Sequence, residues 1–99
     1  MSSFTIRVLL HRAGSADYAS LAQRLRTIAV MDVIRGDDGT WYRLPPGEYN
    51  YEGDATSPQL MAAVTRVADA VKPPSAVLVT QALRREWRGL EVFKRALAA

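Results

Sequence analysis

Cysteine is absent from the 99 residues, which excludes a disulfide framework, thiolate catalysis and thiolate metal sites. A single histidine, His11, likewise excludes the usual multi-histidine metal constellations. Long hydrophobic runs are missing too: Val8–Leu10 and Ala76–Val79 fall far short of the roughly 18 residues a spanning helix needs. The N-terminal Met1-Ser2-Ser3-Phe4 carries no charged segment followed by an apolar stretch, so the expectation is a cytoplasmic protein without a membrane span. Oxygen ligands alone could hold a metal, and two groups qualify by composition: Asp37 with Asp38, and Glu48 with Glu52 and Asp54. Turn propensity explains the first pair and no ligand spacing marks the second group, so neither a metal nor another cofactor is expected.

What is present fits one domain, since a chain of this length buries roughly two thirds of its unfolded surface. The net charge is +3, unevenly spread. Residues 1–29 carry four arginines against one aspartate, residues 30–56 two arginines against six acids, and residues 82–99 five bases against two acids. A basic first helix, an acidic middle and a basic tail suit an anionic partner such as RNA, because long-range fields steer encounter. Eleven of the thirteen bases are arginine and fifteen residues are alanine, a bias that a GC-rich genome also produces.

Phe4, Ile6, Val8 and Leu10 alternate with Thr5, Arg7, Leu9 and His11, which predicts a strand with one buried face. Ser15 reads as an N-cap, with Asp17 in the first turn, for a helix beginning near Ala16. Its apolar stripe is Tyr18, Leu21, Ala22, Leu25 and Ile28. Val30–Arg35 and Thr40–Leu44 flank Gly36-Asp37-Asp38-Gly39 and predict a β-hairpin. Pro45-Pro46-Gly47 ends that pairing, and a short extended piece, Glu48–Glu52, follows. Ser57 as N-cap and Pro58 at the first helical position open a second helix, striped by Leu60, Val64, Val67, Ala68 and Val71 and stopped by Pro73-Pro74. Ala76–Thr80 reads as a strand, and Leu90, Phe93 and Leu97 fall at helical spacing. The order strand, helix, strand, strand, helix, strand predicts an α+β, ferredoxin-like βαββαβ sandwich over residues 1–81, both helices on one face of an antiparallel sheet. Residues 82–99 form a basic tail ending in a short helix.

Such a sheet leaves a face uncovered, carrying Arg7, Leu9, His11 and either Trp41 or Tyr42. The aromatic and glycine spacing of RRM domains is absent from Thr40-Trp41-Tyr42-Arg43-Leu44, and an exposed Leu9 points toward a homodimer through the open face or an edge strand. His11 has the chemistry of a general acid or base, and the bland reading is an exposed strand-end histidine. Arg24 and Arg26 can each hold a phosphate or face solvent as ordinary surface residues. Tyr49 and Tyr51 alternate on an edge strand that either packs or binds a partner.

Two segments carry a family resemblance. Tyr18 with Arg24-Leu25-Arg26 is similar to the first helix of the GhoS-type endoribonuclease antitoxins of type V toxin–antitoxin systems. Ile34-Arg35-Gly36-Asp37-Asp38-Gly39, Trp41-Tyr42-Arg43-Leu44-Pro45 and Glu48-Tyr49-Asn50-Tyr51-Glu52-Gly53-Asp54 resemble the hairpin of their uncharacterised short bacterial relatives. Across residues 4–81 the resemblance implies a ferredoxin-like fold and cleavage of a toxin message. By the motif match Arg26 is the candidate catalytic arginine, with Arg24 behind it; from the residues themselves His11 is the natural base, and Arg7, Arg24 and the tail's Arg84, Arg85 and Arg88 are the candidate RNA contacts. The alternative expectation is a non-catalytic dimeric regulator or inhibitor acting on a protein partner.

Overall fold

Alternation along the first strand has its expected consequence. In the computed structural model, which describes residues 1–94, Phe4, Ile6, Val8 and Leu10 are all buried on one side of β1 (Ser2–Leu10). The chain continues through α1 (Ser15–Arg26), β2 (Val33–Arg35), β3 (Trp41–Arg43), β4 (Glu48–Gly53), α2 (Ser57–Val71) and β5 (Ser75–Ala82). The class is α+β with antiparallel sheets: β1 lies between β4 and β5, and β2 pairs only with β3 as a strand.

Register puts Ile6 opposite Tyr49 and Val79 and Val8 opposite Val77, and Phe4 opposite Tyr51, so this face of the sheet is apolar except at β5's exposed Gln81, which pairs with Phe4. Leu21 and Leu25 of α1 and Leu60, Val64 and Ala68 of α2 close over that face in a single cluster. Each fully buried side chain contributes on the order of 1.5–3 kcal/mol, which is why both stripes dock on the same side. Gly14 caps α1, its N–H donating to the Asp17 carboxylate at 3.1 Å. Thr56, not Ser57, caps α2: its hydroxyl accepts from Gln59 N at 3.3 Å, and Gln59 Oε1 accepts from Thr56 N at 2.9 Å. α1 ends at Arg26, with Thr27 as its C-cap, so Ile28 lies in the following turn.

Three expectations are corrected. The piece after Pro45-Pro46-Gly47 is a six-residue strand of the main sheet, whereas the hairpin forms a small sheet of its own. Gly47 makes this possible: its φ is +86°, and a Cβ there would lie 2.8 Å from the Val8 carbonyl oxygen, so only glycine lets β4 start against β1. The tail is not helical over residues 83–94; it runs extended beside β3, with Arg43 N donating to Glu91 O at 2.8 Å and Phe93 N to Trp41 O at 2.9 Å. Leu97 lies outside the described residues. Finally, the second sheet face is not uniformly open. Ile34 is buried, and with Trp87 and Leu90 it joins Thr5 and Glu48 around a hollow of about 260 Å³ between the main sheet and the hairpin–tail layer.

Candidate nucleic-acid interface

The residues expected to act together do not meet. Arg26 sits at the last turn of α1, and His11 is exposed in the turn that precedes the helix. Twelve helical residues separate them, about 18 Å of axis. Arg26 is occupied locally: its Nη2 donates to Asp32 Oδ2 at 2.9 Å and its Nε to Oδ1 at 3.4 Å, a fork that neutralises the charge a phosphorane would need. Arg24 projects from the helix layer, on the opposite side of the sheet from Arg7. Arg7 lies 3.6 Å from Glu48, and Arg84 lies 2.7 Å from Glu86. Arg88 is exposed.

Arg85 has become a brace. Its Nη1 donates to Phe4 O at 3.1 Å and to Thr5 Oγ1 at 3.4 Å, and Glu52 stands 3.6 Å from Nη2. Burial pushes this guanidinium below its ordinary pKa, and the Glu52 carboxylate offsets part of that shift. The largest hollow, about 770 Å³, lies beside it between residues 35–37, Glu52 and the start of the tail. It sets Arg35, Arg84 and Arg85 against Asp37, Glu52 and Glu86, so it presents no net positive field to an anion.

A different surface sets two arginines beside aromatic rings, with Glu91 3.5 Å from one of them, Arg43. Pairing of Arg35 with Trp41 and of Tyr42 with Val92 places Arg35, Trp41, Arg43, Glu91 and Phe93 on one face of the hairpin–tail sheet. Ile34 and Tyr42 take the other face, where Tyr42 meets Trp87 edge-on at 5.7 Å. On the outward face the Arg35 guanidinium lies over the Trp41 ring, 6.0 Å from its centroid, and Arg43 lies over Phe93 at 5.1 Å. Trp41 remains 43% exposed. Two aromatic rings, each with an arginine over one face, form a platform on which unpaired bases can stack while guanidinium groups reach phosphates. From sequence, either Trp41 or Tyr42 is expected on the open face of the main sheet, and Arg35, Arg43 and Phe93 are not expected at a binding surface. The detectable signal was the period-two spacing of Trp41 and Arg43; Phe93 carried none, because its neighbour in space is fifty residues away in sequence.

Near Arg26, Tyr49 is almost fully buried, and its hydroxyl is pushed from 10.0 up to about 12 by burial, with the Asp32 charge adding to the shift and Arg26 opposing it. The folded state therefore holds this proton after the unfolded chain has released it. Stability from this group is intact below pH 10 and is lost as the pH climbs toward 12, by about 2 kcal/mol. Urea midpoints measured across that window should fall in the wild type and fall less steeply in Tyr49→Phe.

Among the described residues no cluster of three metal-ligating side chains occurs, and no helix is long and apolar enough to cross a membrane.

No family model, curated protein or solved structure matches the chain. The functional reading therefore rests on the residues themselves.

Proposed function

We propose that this chain is a small RNA-acting regulator that binds single-stranded RNA on the outward face of its hairpin–tail sheet. The observation that carries the reading is the pair of arginine-over-aromatic contacts, Arg35 with Trp41 and Arg43 with Phe93, on one exposed surface. Trp41 supplies the stacking ring, and Arg35 and Arg43 supply the charge. The frame that presents them is read as ferredoxin-like. Strand order β5, β1, β4 continues to Met31, which bridges Asn50, and the β2–β3 hairpin is an insertion in the chain between Met31 and β4. That reading agrees with the fold implied by the resemblance to GhoS-type antitoxins.

Cleavage of a toxin message, which the same resemblance implies, needs a proton acceptor beside Arg26. His11 is at the other end of α1, and Asp32 is engaged with Arg26 itself. Binding is accordingly the reading kept, with silencing of a message by occupancy rather than by hydrolysis. Arg26→Ala is expected to leave RNA affinity within about twofold and to cost under about 1 kcal/mol of stability, because the guanidinium is half exposed. An incubation in which the wild type cuts RNA and Arg26→Ala does not would restore the catalytic reading.

Fluorescence anisotropy with a short labelled RNA tests the proposal. Single strands should bind at least about tenfold more tightly than a duplex of the same sequence, since stacking needs unpaired bases. Affinity should fall with salt with a slope of roughly −0.7 for each phosphate contacted. Equal affinity for duplex and single strand, or none at low salt, overturns it and leaves the protein-partner reading.

A further inference from the structure

β5 is an outer strand of the three-stranded sheet, and among the described residues no strand pairs with its free side. The other edge is treated differently: Met31 N donates to Asn50 O at 2.9 Å and Asn50 N to Met31 O at 2.7 Å, which closes β4. Folded proteins usually guard a free edge with a charge, a proline or a bulge. The eight residues Ser75–Ala82 contain no charge and no proline, and the pairing with β1 runs unbroken from Ser75 opposite Leu10 to Ala82 opposite Ser3.

Side chains at this edge are uncharged: Val77 and Val79 turn toward the helix-side core, and Ala76, Leu78 and Thr80 turn to the other face. On the face away from the helices Leu78 is 62% exposed and Leu9 of the neighbouring strand 52%. Arg7, directly opposite Leu78, lies beside Glu48 on the far strand, and Asp69 accepts from Ser75 N at 3.1 Å and from Ser75 Oγ at 2.7 Å at the first residue of β5, so the charge at this strand lies at its start and not about Leu78. An anionic partner would find nothing to recognise here, whereas an uncharged strand would.

The order of residues selects which uncharged strand. About Leu78 the sequence reads Ala76-Val77-Leu78-Val79-Thr80, nearly the same in both directions. A two-fold axis through Leu78 would set it against the partner's Leu78, Val77 against the partner's Val79, and Ala76 against the partner's Thr80. Leu78 and the two valines then meet residues of their own kind, whereas Ala76 meets a β-branched threonine and Ser75 falls opposite the partner's Gln81, so the self-complementary centre that a two-fold interface requires is Val77-Leu78-Val79. We infer that the chain forms a two-fold homodimer by antiparallel pairing of β5 with the β5 of a second copy, centred on Leu78. The joined sheet has six strands, and its exposed apolar stripe runs through Leu9 and Leu78 of both chains. This surface is separate from the aromatic and arginine face and does not depend on RNA binding.

The lack of cysteine gives a direct test, because a single introduced thiol has only its own counterpart to react with. Leu78→Cys should form a disulfide-linked dimer on mild oxidation, since directly opposed strand residues lie about 4.5–5.5 Å apart at Cα. Thr80→Cys, displaced from its own counterpart by four positions along the strand, about 13 Å, should cross-link at least about tenfold more slowly. Leu9→Cys should behave like Thr80→Cys. Sedimentation should give a concentration-dependent dimer for the wild type, and Leu78→Glu should remain monomeric with an unchanged circular dichroism spectrum. Overturning results are a monomer at every concentration up to the solubility limit, cross-linking of Thr80→Cys or Leu9→Cys as fast as Leu78→Cys, or a dimer that survives Leu78→Glu.

Discussion

Trp41→Ala is expected to weaken binding of a short single-stranded RNA by about 5- to 150-fold, the effect of removing one base-stacking ring worth roughly 1–3 kcal/mol. The ring is 43% exposed and lies in a three-residue strand, so its loss should cost the fold only about 1 kcal/mol. Affinity and stability therefore separate. Trp41→Phe should recover most of the affinity, because a smaller ring still stacks. Arg43→Ala should act differently from Trp41→Ala: it removes a guanidinium, so it should flatten the salt dependence as well as weaken binding. Arg43 lies 3.5 Å from Glu91, an exposed pair whose own contribution to stability is small. If Trp41→Ala bound RNA as tightly as the wild type, the outward face of the hairpin would have no role in binding.

Removing residues 83–99 is expected to lower the unfolding free energy by about 3–5 kcal/mol, a large fraction of the stability of a small domain. A solvated tail would cost nothing. Here the tail supplies the two backbone bonds that extend the hairpin, the Arg85 contacts to Phe4 O and Thr5 Oγ1, and the Trp87 and Leu90 side chains that line the interlayer hollow. Trp87 packs on Tyr42 and over Gly36, where an added Cβ would come within 3.6 Å of the indole. Trp87→Ala alone should cost about 2 kcal/mol, the half-buried share of a large aromatic deletion. Both variants should also lose amide protection in β2 and β3, because that two-stranded sheet has little else to hold it. Urea denaturation and hydrogen exchange read these effects. Unfolding midpoints indistinguishable from the wild type would show the tail to be dispensable to the fold.

The helical expectation for the tail rested on Leu90, Phe93 and Leu97, three residues at a spacing that several conformations share. Gly89, with φ of +79°, was the contrary signal: glycine weakens a helix interior and permits the turn that the chain makes there. The decisive interaction, however, is with Trp41 and Arg43, some fifty residues earlier. No local pattern encodes a pairing of that range.

The candidate site divides in the same way. Arg7, Arg24, Arg26, Arg84, Arg85 and Arg88 are visible in the sequence as charges, yet charge alone does not say which guanidiniums are already engaged. Asp32 takes Arg26, and Glu52 with the β1 backbone takes Arg85. Arg35 and Arg43 lie in the acidic middle of the chain and were hidden by the net charge of their segment. Folding lifts them from that context, because alternation along β2 and β3 turns them to the side opposite Ile34 and Tyr42.

By itself the sequence determined the elements whose causes are local. Alternating apolar residues made β1, the stripes of Leu21 with Leu25 and of Leu60 with Val64 and Ala68 made two amphipathic helices, and Gly36–Gly39 made the hairpin turn. Those are the interactions that residues a few positions apart make with each other or with a common core. Tertiary structure alone decided which strand follows β1 in the sheet, that the hairpin and tail form a second layer, and which edge stays free. Each depends on which distant backbone groups satisfy one another's hydrogen bonds, and that choice is settled only when the whole chain competes for the same partners.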